Sequence, residues 1–190
     1  RGDWSSDVCS SDLIDSINYQ ISDYITSVST LPMNPTASNT INALFKCYAD
    51  IERIGDHAIN ILQYTKNEKE RLQDVGVIRE ELMQLEELLD KSFQLLYTNR
   101  LESQDESLLK IERIEARIDE LTAEFRNRQI ERMVHKQIHA RDCVIYSEIM
   151  TDIERVSDHI MNIIEECRRC SFTLNDEELK DMPLIQECAA

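Results

Sequence analysis

The chain carries its polar chemistry in two related stretches, Asp50-Ile51-Glu52-Arg53-Ile54-Gly55-Asp56-His57-Ala58-Ile59-Asn60-Ile61 and Asp152-Ile153-Glu154-Arg155-Val156-Ser157-Asp158-His159-Ile160-Met161-Asn162-Ile163, at a constant offset of 102 residues. Eight of the twelve positions are identical, every charged one among them, so the repetition needs a chemical reason. At about 100° per residue a helix puts Glu52 and Asp56 one turn apart on one side, with Asn60 a turn further along. Glu154, Asp158 and Asn162 repeat this row. Beside the rows run apolar stripes, Ile51, Ile54, Ala58, Ile61 and Leu62 in one copy and Ile153, Val156, Ile160, Ile163 and Ile164 in the other. The carboxylates therefore sit at the edge of the buried face. Like charges at this spacing repel by roughly 0.3 kcal/mol on an isolated helix, and burial raises the cost. A bound cation would remove it.

A third pair of the same form, Glu115 and Asp119, adjoins Ile111, Ile114 and Ile118. Clustered carboxylate oxygens are hard ligands suited to Mg²⁺, Ca²⁺, Mn²⁺ or iron. The competing reading is an acidic helical surface in which Arg53 and Arg155 are in-helix partners, each pair contributing about 0.5 kcal/mol or less. His57 and His159 lie 100° around the helix from their aspartates and read as hydrogen-bonding or interhelix groups rather than ligands. Asn60 and Asn162 read equally as groups supporting a metal site and as ordinary polar contacts. Catalysis finds no support: no Glu has a His three residues later, and there is no Gly-rich phosphate loop and no H-E-x-x-H.

The elements that must hold these rows are helices. Three Gly and three Pro in 190 residues, with 31% charged side chains, indicate long helices and few turns. The spacing of Ile14, Ile17, Ile21, Tyr24, Ile25 and Val28 predicts a first helix, ended by Leu31-Pro32-Met33-Asn34-Pro35. Ser38 or Asn39 is the expected cap of the second helix, which carries the first motif to about Lys66. A turn in residues 67–76 precedes a near-heptad helix to about Leu101, and Ser103-Gln104-Asp105-Glu106 has capping-box form before the fourth helix. The chain must turn between His135 and Asp142, although no Gly or Pro marks the place, and the fifth helix carries the second motif. His135 and His139 fall at that turn and are expected to be exposed.

A net charge of −16, from 37 acidic and 21 basic side chains, argues against a nucleic-acid partner and suits cations or basic protein surfaces. The longest stretch without Asp, Glu, Lys or Arg, Tyr24 to Phe45, contains Ser, Thr, Asn and two Pro and does not read as a membrane span. Six cysteines at unrelated spacings make no disulfide framework; they read as reduced cytosolic thiols, with a redox or metal role for Cys167 and Cys170 as the alternative. Residues 1–12 share no periodicity with the helical stretches after them and resemble a translated cloning remnant, so they are expected to be a non-native leader outside the fold. Residues 13–75 and 76–172 are expected as the two repeats, and 173–190 as an acidic tail.

The doubled Glu-Arg-Ile-Gly-Asp-His (52–57) and Glu-Arg-Val-Ser-Asp-His (154–159) resemble the PhoU family, over residues 13 to about 170. The resemblance implies an all-α fold of two tandem antiparallel three-helix bundles, here with the first repeat truncated at its N-terminus so that five long helices stand for six. It implies binding of divalent or trivalent metal ions (iron, zinc, magnesium or manganese) at Glu52, Asp56, Glu154 and Asp158 of the third-helix motifs and at Glu115 and Asp119 of the middle-helix motif. Asn18 stands where the first repeat should offer Asp, so the first site looks incomplete. Ile17-Asn18-Tyr19-Gln20-Ile21, Asp23-Tyr24-Ile25 and the Asn-Ile after each Asp-His look most like the cytosolic domain of bacterial sodium/phosphate cotransporters. The resemblance thus implies a regulatory, non-enzymatic module at the inner face of the plasma membrane, with a transmembrane phosphate transporter, encoded upstream in the same polypeptide, as partner. A homodimer is left open. A free-standing phosphate-regulon regulator, docking on an ABC transporter and a sensor kinase, is the alternative, and a metal-free helical scaffold the third reading.

Overall fold

The structure, a computed structural model, describes residues 4–68, 75–98 and 104–170. These form five α-helices: α1 (Trp4–Ser29), α2 (Pro35–Glu68), α3 (Val75–Thr98), α4 (Gln104–Val134) and α5 (Ala140–Cys170). The expected all-α class holds, with no strand among the described residues. Helix α1 starts within the stretch expected to be a leader. Ser103 of the expected capping box, most of the turn expected in 67–76 and the acidic tail expected at 173–190 lie outside the described residues.

One helix end differs from expectation for a local reason, and the unmarked turn falls between His135 and Asp142 as expected. The cap of α2 is Asn34, not Ser38 or Asn39: its Oδ1 accepts from the Ala37 amide at 2.7 Å and its carbonyl from the Ser38 amide at 3.1 Å. Pro35 thereby occupies the first helical position, where its missing N–H is no loss and its fixed φ suits the helix, so the second proline starts a helix as well as ending the loop. At the unmarked turn, Lys136 takes φ 58°, the left-handed conformation usually given to Gly. The amide of Lys136 donates to the Met133 carbonyl at 3.0 Å and that of Gln137 to the Arg132 carbonyl at 2.9 Å. These are the paired bonds of a Schellman ending, and they offset the strain of placing a Cβ there. The His139 carbonyl then receives the first amides of α5, so residues 135–139 suffice to reverse the chain.

Helices α2 and α5 pack antiparallel over the most extensive interface of the fold, the partners of α2 falling in number along α5 as those of α2 rise. Helix α1 lies on α2; α4 lies on α5, and α3 fills the angle between α4 and α5. Ile78 and Leu85 of α3, Ile118, Leu121 and Phe125 of α4, and Tyr146, Ile149, Met150 and Ile153 of α5 form the main core. Ile111, Val156, Ile160 and Ile164 continue it, with Ile54 of α2 against them. A buried polar contact holds α3 in place. Glu81, 1% exposed, accepts from Arg132 of α4 at 2.9 Å and from the Tyr146 hydroxyl of α5 at 2.6 Å. A buried carboxylate needs such partners, so this cluster sets the register of three helices at once.

The two repeats are unequal in cover. Ile51 and Ile153 occupy the same place in the repeated motif, yet Ile51 is 55% exposed and Ile153 5%. Helix α3 accounts for the difference, because among the described residues no helix covers the corresponding face of α1 and α2. That face is a groove of about 530 Å³, lined by residues such as Ile17, Tyr24, Leu44, Tyr48 and Ile51. Truncating a buried Ile removes contacts and leaves a cavity, whereas truncating an exposed one does neither. Ile153→Ala should therefore lower stability by about 3 kcal/mol and Ile51→Ala by less than about 1 kcal/mol in urea unfolding. Equal losses would mean that the groove is closed in solution.

Candidate functional site

The repeated motif meets itself across the α2–α5 seam. The Nδ1 of His57 lies 2.7 Å from Oδ1 of Asp152, and the Nδ1 of His159 lies 2.8 Å from Oδ1 of Asp50. Each Asp opens one copy of the motif and each His belongs to the other copy, so the bonds are reciprocal across a local pseudo-twofold axis. The two imidazoles stack at 5.6 Å between centroids with 18° between planes. With carboxylates as acceptors, each Nδ1 carries the hydrogen. Asp50, Asp152 and His159 are buried and His57 is half-buried, and a hydrogen bond to a charged group in such a place contributes about 2 kcal/mol. Asn162 adds a longer bond to Asp50 at 3.5 Å, and Lys46 pairs with Glu166 at 2.9 Å nearer the end of α5.

The histidines thus serve the interhelix role expected of them. Asp50 and Asp152 had no role assigned from spacing, although a signal was present. Each precedes its histidine by seven residues, which returns to within about 20° of the same helix face.

The carboxylate rows lie beside this seam. On the second repeat Glu115 and Asp119 of α4 face Glu154 and Asp158 of α5, and their charges act on one another. Burial first, then Asp119, Asp158 and Glu112, pushes Glu115 above the usual carboxylate range. Burial, then Glu154 and Asp158, does the same for Asp119, with Arg126 opposing. Glu154 goes the other way. Burial pushes it up, but hydrogen bonds from Arg126 and Thr122 and the charges of Arg126 and Arg155 outweigh that and hold it low.

The two terminal guanidinium nitrogens of Arg126 donate to Glu154, at 2.7 Å each, and Nη2 also donates to Thr151 Oγ1 at 3.0 Å; Thr122 Oγ1 donates to Glu154 as well. Arg126 is therefore the cation that already answers Glu154, a bidentate fork set one helix over, where linear spacing does not reveal it. Glu115, Asp119 and Asp158 keep the unbalanced charge. Among the described residues no three His, Cys, Asp or Glu side chains converge closely enough to hold an ion as they stand.

In the first repeat Glu52 is half-buried and Asp56 exposed on α2. Asn18 of α1 is 7% exposed, and its Nδ2 has no hydrogen-bond partner. This half thus offers two carboxylates and a buried amide where the second offers four carboxylates. His135 and His139 are exposed, as the turn requires.

The family model described as the PhoU domain matches residues 8–65 and 78–167, which takes in both motifs and all five helices. The "Phosphate-specific transport system accessory protein PhoU homolog 1" of Thermotoga maritima is 25% identical over 162 residues, covering 83% of this chain and 68% of that protein. No solved structure matches the chain.

The raised carboxylates set a pH dependence. Between the unfolded and folded pKa values of Glu115 and Asp119 the folded chain binds more protons than the unfolded one, so their contribution favours folding below the usual carboxylate range. It is lost as pH rises through the raised values. Glu154 contributes the opposite slope, stabilising above the usual range and losing its effect as pH falls through its lowered value. Because Asp158 raises both Glu115 and Asp119, Asp158→Asn should move both titrations down, measured by carboxyl-carbon NMR, and flatten the pH dependence of the melting temperature just above the usual carboxylate range. Unchanged titrations would show that the three groups do not share one field.

Proposed function

The chain belongs to the PhoU family, and on that footing we propose that it is a non-catalytic helical module that regulates phosphate transport at the cytoplasmic face of the plasma membrane. The observation that carries this reading is the unbalanced charge of Glu115, Asp119 and Asp158 at the α4–α5 face, next to a seam held by reciprocal Asp–His pairs. Carboxylates that raise one another's pKa suit a cation, which would relieve the repulsion and complete its shell with water. Glu115, Asp119 and Asp158 would hold the ion, with Glu154 restrained by Arg126. Such an ion would supply fixed positive charge, changing the surface that α4 and α5 offer to a partner. Glu52 and Asp56 would form a weaker site in the first repeat.

Two partners fit. The residue resemblance in α1 and after each Asp-His favours a sodium/phosphate cotransporter carrying this module as its cytosolic domain. The similarity to the Thermotoga maritima accessory protein favours a free-standing accessory of a phosphate-specific transport system. Among the described residues no helix is long and apolar enough to cross a membrane, so in either case the transmembrane part lies outside the described helices.

Disruption of the gene in its own host should change the rate of radiolabelled phosphate uptake, and the wild-type gene should restore it. Uptake that is unchanged under both phosphate-rich and phosphate-poor growth would contradict the reading. In a calorimetric titration of the purified chain with Mn²⁺, a tighter phase should vanish in Asp158→Asn and a phase about tenfold weaker in Asp56→Asn, a tenfold step being about 1.4 kcal/mol. Loss of the tighter phase in Asp56→Asn alone would reverse the ranking of the sites.

A further inference from the structure

Near one end of the α2–α5 seam two thiols meet. Cys47 of α2 is buried, with its Sγ 3.9 Å from the Ile163 carbonyl of α5, and Cys167 stands one turn further along that same face of α5. The Cys47 thiol donates to that carbonyl, and the two thiols lie near enough to act on each other. Their interaction, with burial and the nearby Glu166 and Asp50 charges acting further on Cys47, pushes the Cys47 thiol up and holds Cys167 below the usual thiol range. Cys167 is also the half-exposed member of the pair. The positions are register-locked, because the preceding residues on each helix, Lys46 and Glu166, are ion-paired at 2.9 Å. Cys143 is buried, and burial alone pushes its thiol up, with no second thiol acting on it.

We infer that Cys47 and Cys167 are an oxidation site, at which a low-molecular-weight disulfide of the glutathione type converts the thiol pair into a disulfide joining α2 to α5. The Cys167 thiolate attacks one sulfur of the small disulfide, forming a mixed disulfide and expelling one small thiolate. Cys47 then loses its proton and attacks the Cys167 sulfur, forming the Cys47–Cys167 bond and expelling the second small thiolate. The two protein thiols give up two electrons and two protons, and the small disulfide becomes two thiols. The half-exposed, more acidic Cys167 acts first and the buried Cys47 resolves, an order the burial of the two residues dictates. The product closes a loop of well over a hundred residues and fastens one repeat to the other, so it should restrict the unfolded chain strongly.

The test uses the purified chain, reduced and then treated with oxidised glutathione, alkylated, digested with trypsin without reductant and analysed by mass spectrometry. The expected product is Cys47–Arg53 disulfide-linked to Val156–Arg168; Cys170 falls in a separate tryptic peptide and cannot mimic it. The oxidised chain should melt at least about 5 °C higher than the reduced one, and dithiothreitol should reverse the shift. Cys47→Ser should leave Cys167 as its glutathione mixed disulfide, and Cys167→Ser should leave Cys47 a free thiol under the same treatment. A wild-type chain in which Cys47 stays free, or in which Cys167 links to Cys170 or to another molecule, overturns the assignment. The wild-type mapping alone decides between these outcomes if either serine variant fails to fold.

Discussion

The fold depends on a reciprocal exchange: each repeat gives an aspartate to the other repeat's histidine across α2 and α5. Four polar side chains lie in this seam, and any one of them left without its partner would cost about 1–3 kcal/mol in desolvation. The exchange therefore penalises a shift in register and a wrong pairing of helices alike. Apolar contacts alone would discriminate less, since Ile, Val and Met repack at small cost when one helix slides on another. The polar pairs explain why both copies of the motif hold the opening Asp and the His seven residues on, while apolar positions differ between the copies, as Ile54 and Val156 or Ala58 and Ile160 do.

Around that symmetric seam the two halves have diverged in what they cover and what charge they hold. Helix α3 closes the core over Ile149, Met150 and Ile153, and Glu81 fastens it to α4 and α5. The matching face of α1 and α2 is an open apolar groove. The same divergence appears in the acidic rows, where four carboxylates in one half stand against Glu52, Asp56 and the buried amide of Asn18 in the other. Arg126, reaching from α4 to Glu154, lowers the net charge of the second half without removing it. The result is one helical pair with surplus negative charge beside the α2–α5 interface.

Helix type, number and most lengths were legible from apolar periodicity, because long amphipathic stripes leave little choice of element. The ends were less so. Pro35 read as a stop because a proline disfavours helix at its predecessor, but with Asn34 before it the same residue begins one. The turn at Lys136 carries no composition signal, since its left-handed φ is compensated by backbone bonds that any sequence can make. In the site, the repeated carboxylates were visible by spacing, and the Asp50–His57 and Asp152–His159 intervals already put both groups of each copy on one face. Which copy each would bond to was hidden, because only the packing of α2 against α5 shows that the partners cross. Arg126 with Glu154, and Cys47 with Cys167, were hidden for the same reason: contact order, not local pattern, brings them together.

The claim that reciprocal Asp–His pairs hold the two repeats is tested most directly by a double-mutant cycle on Asp50 and His159, using Asp50→Ala, His159→Ala and the double variant in urea unfolding. The account predicts a coupling of at least about 1 kcal/mol, clearly above the roughly 0.3–0.5 kcal/mol typical of exposed i,i+4 helix pairs. Losses that add within about 0.3 kcal/mol would contradict it, and would leave apolar packing as the force that joins the halves.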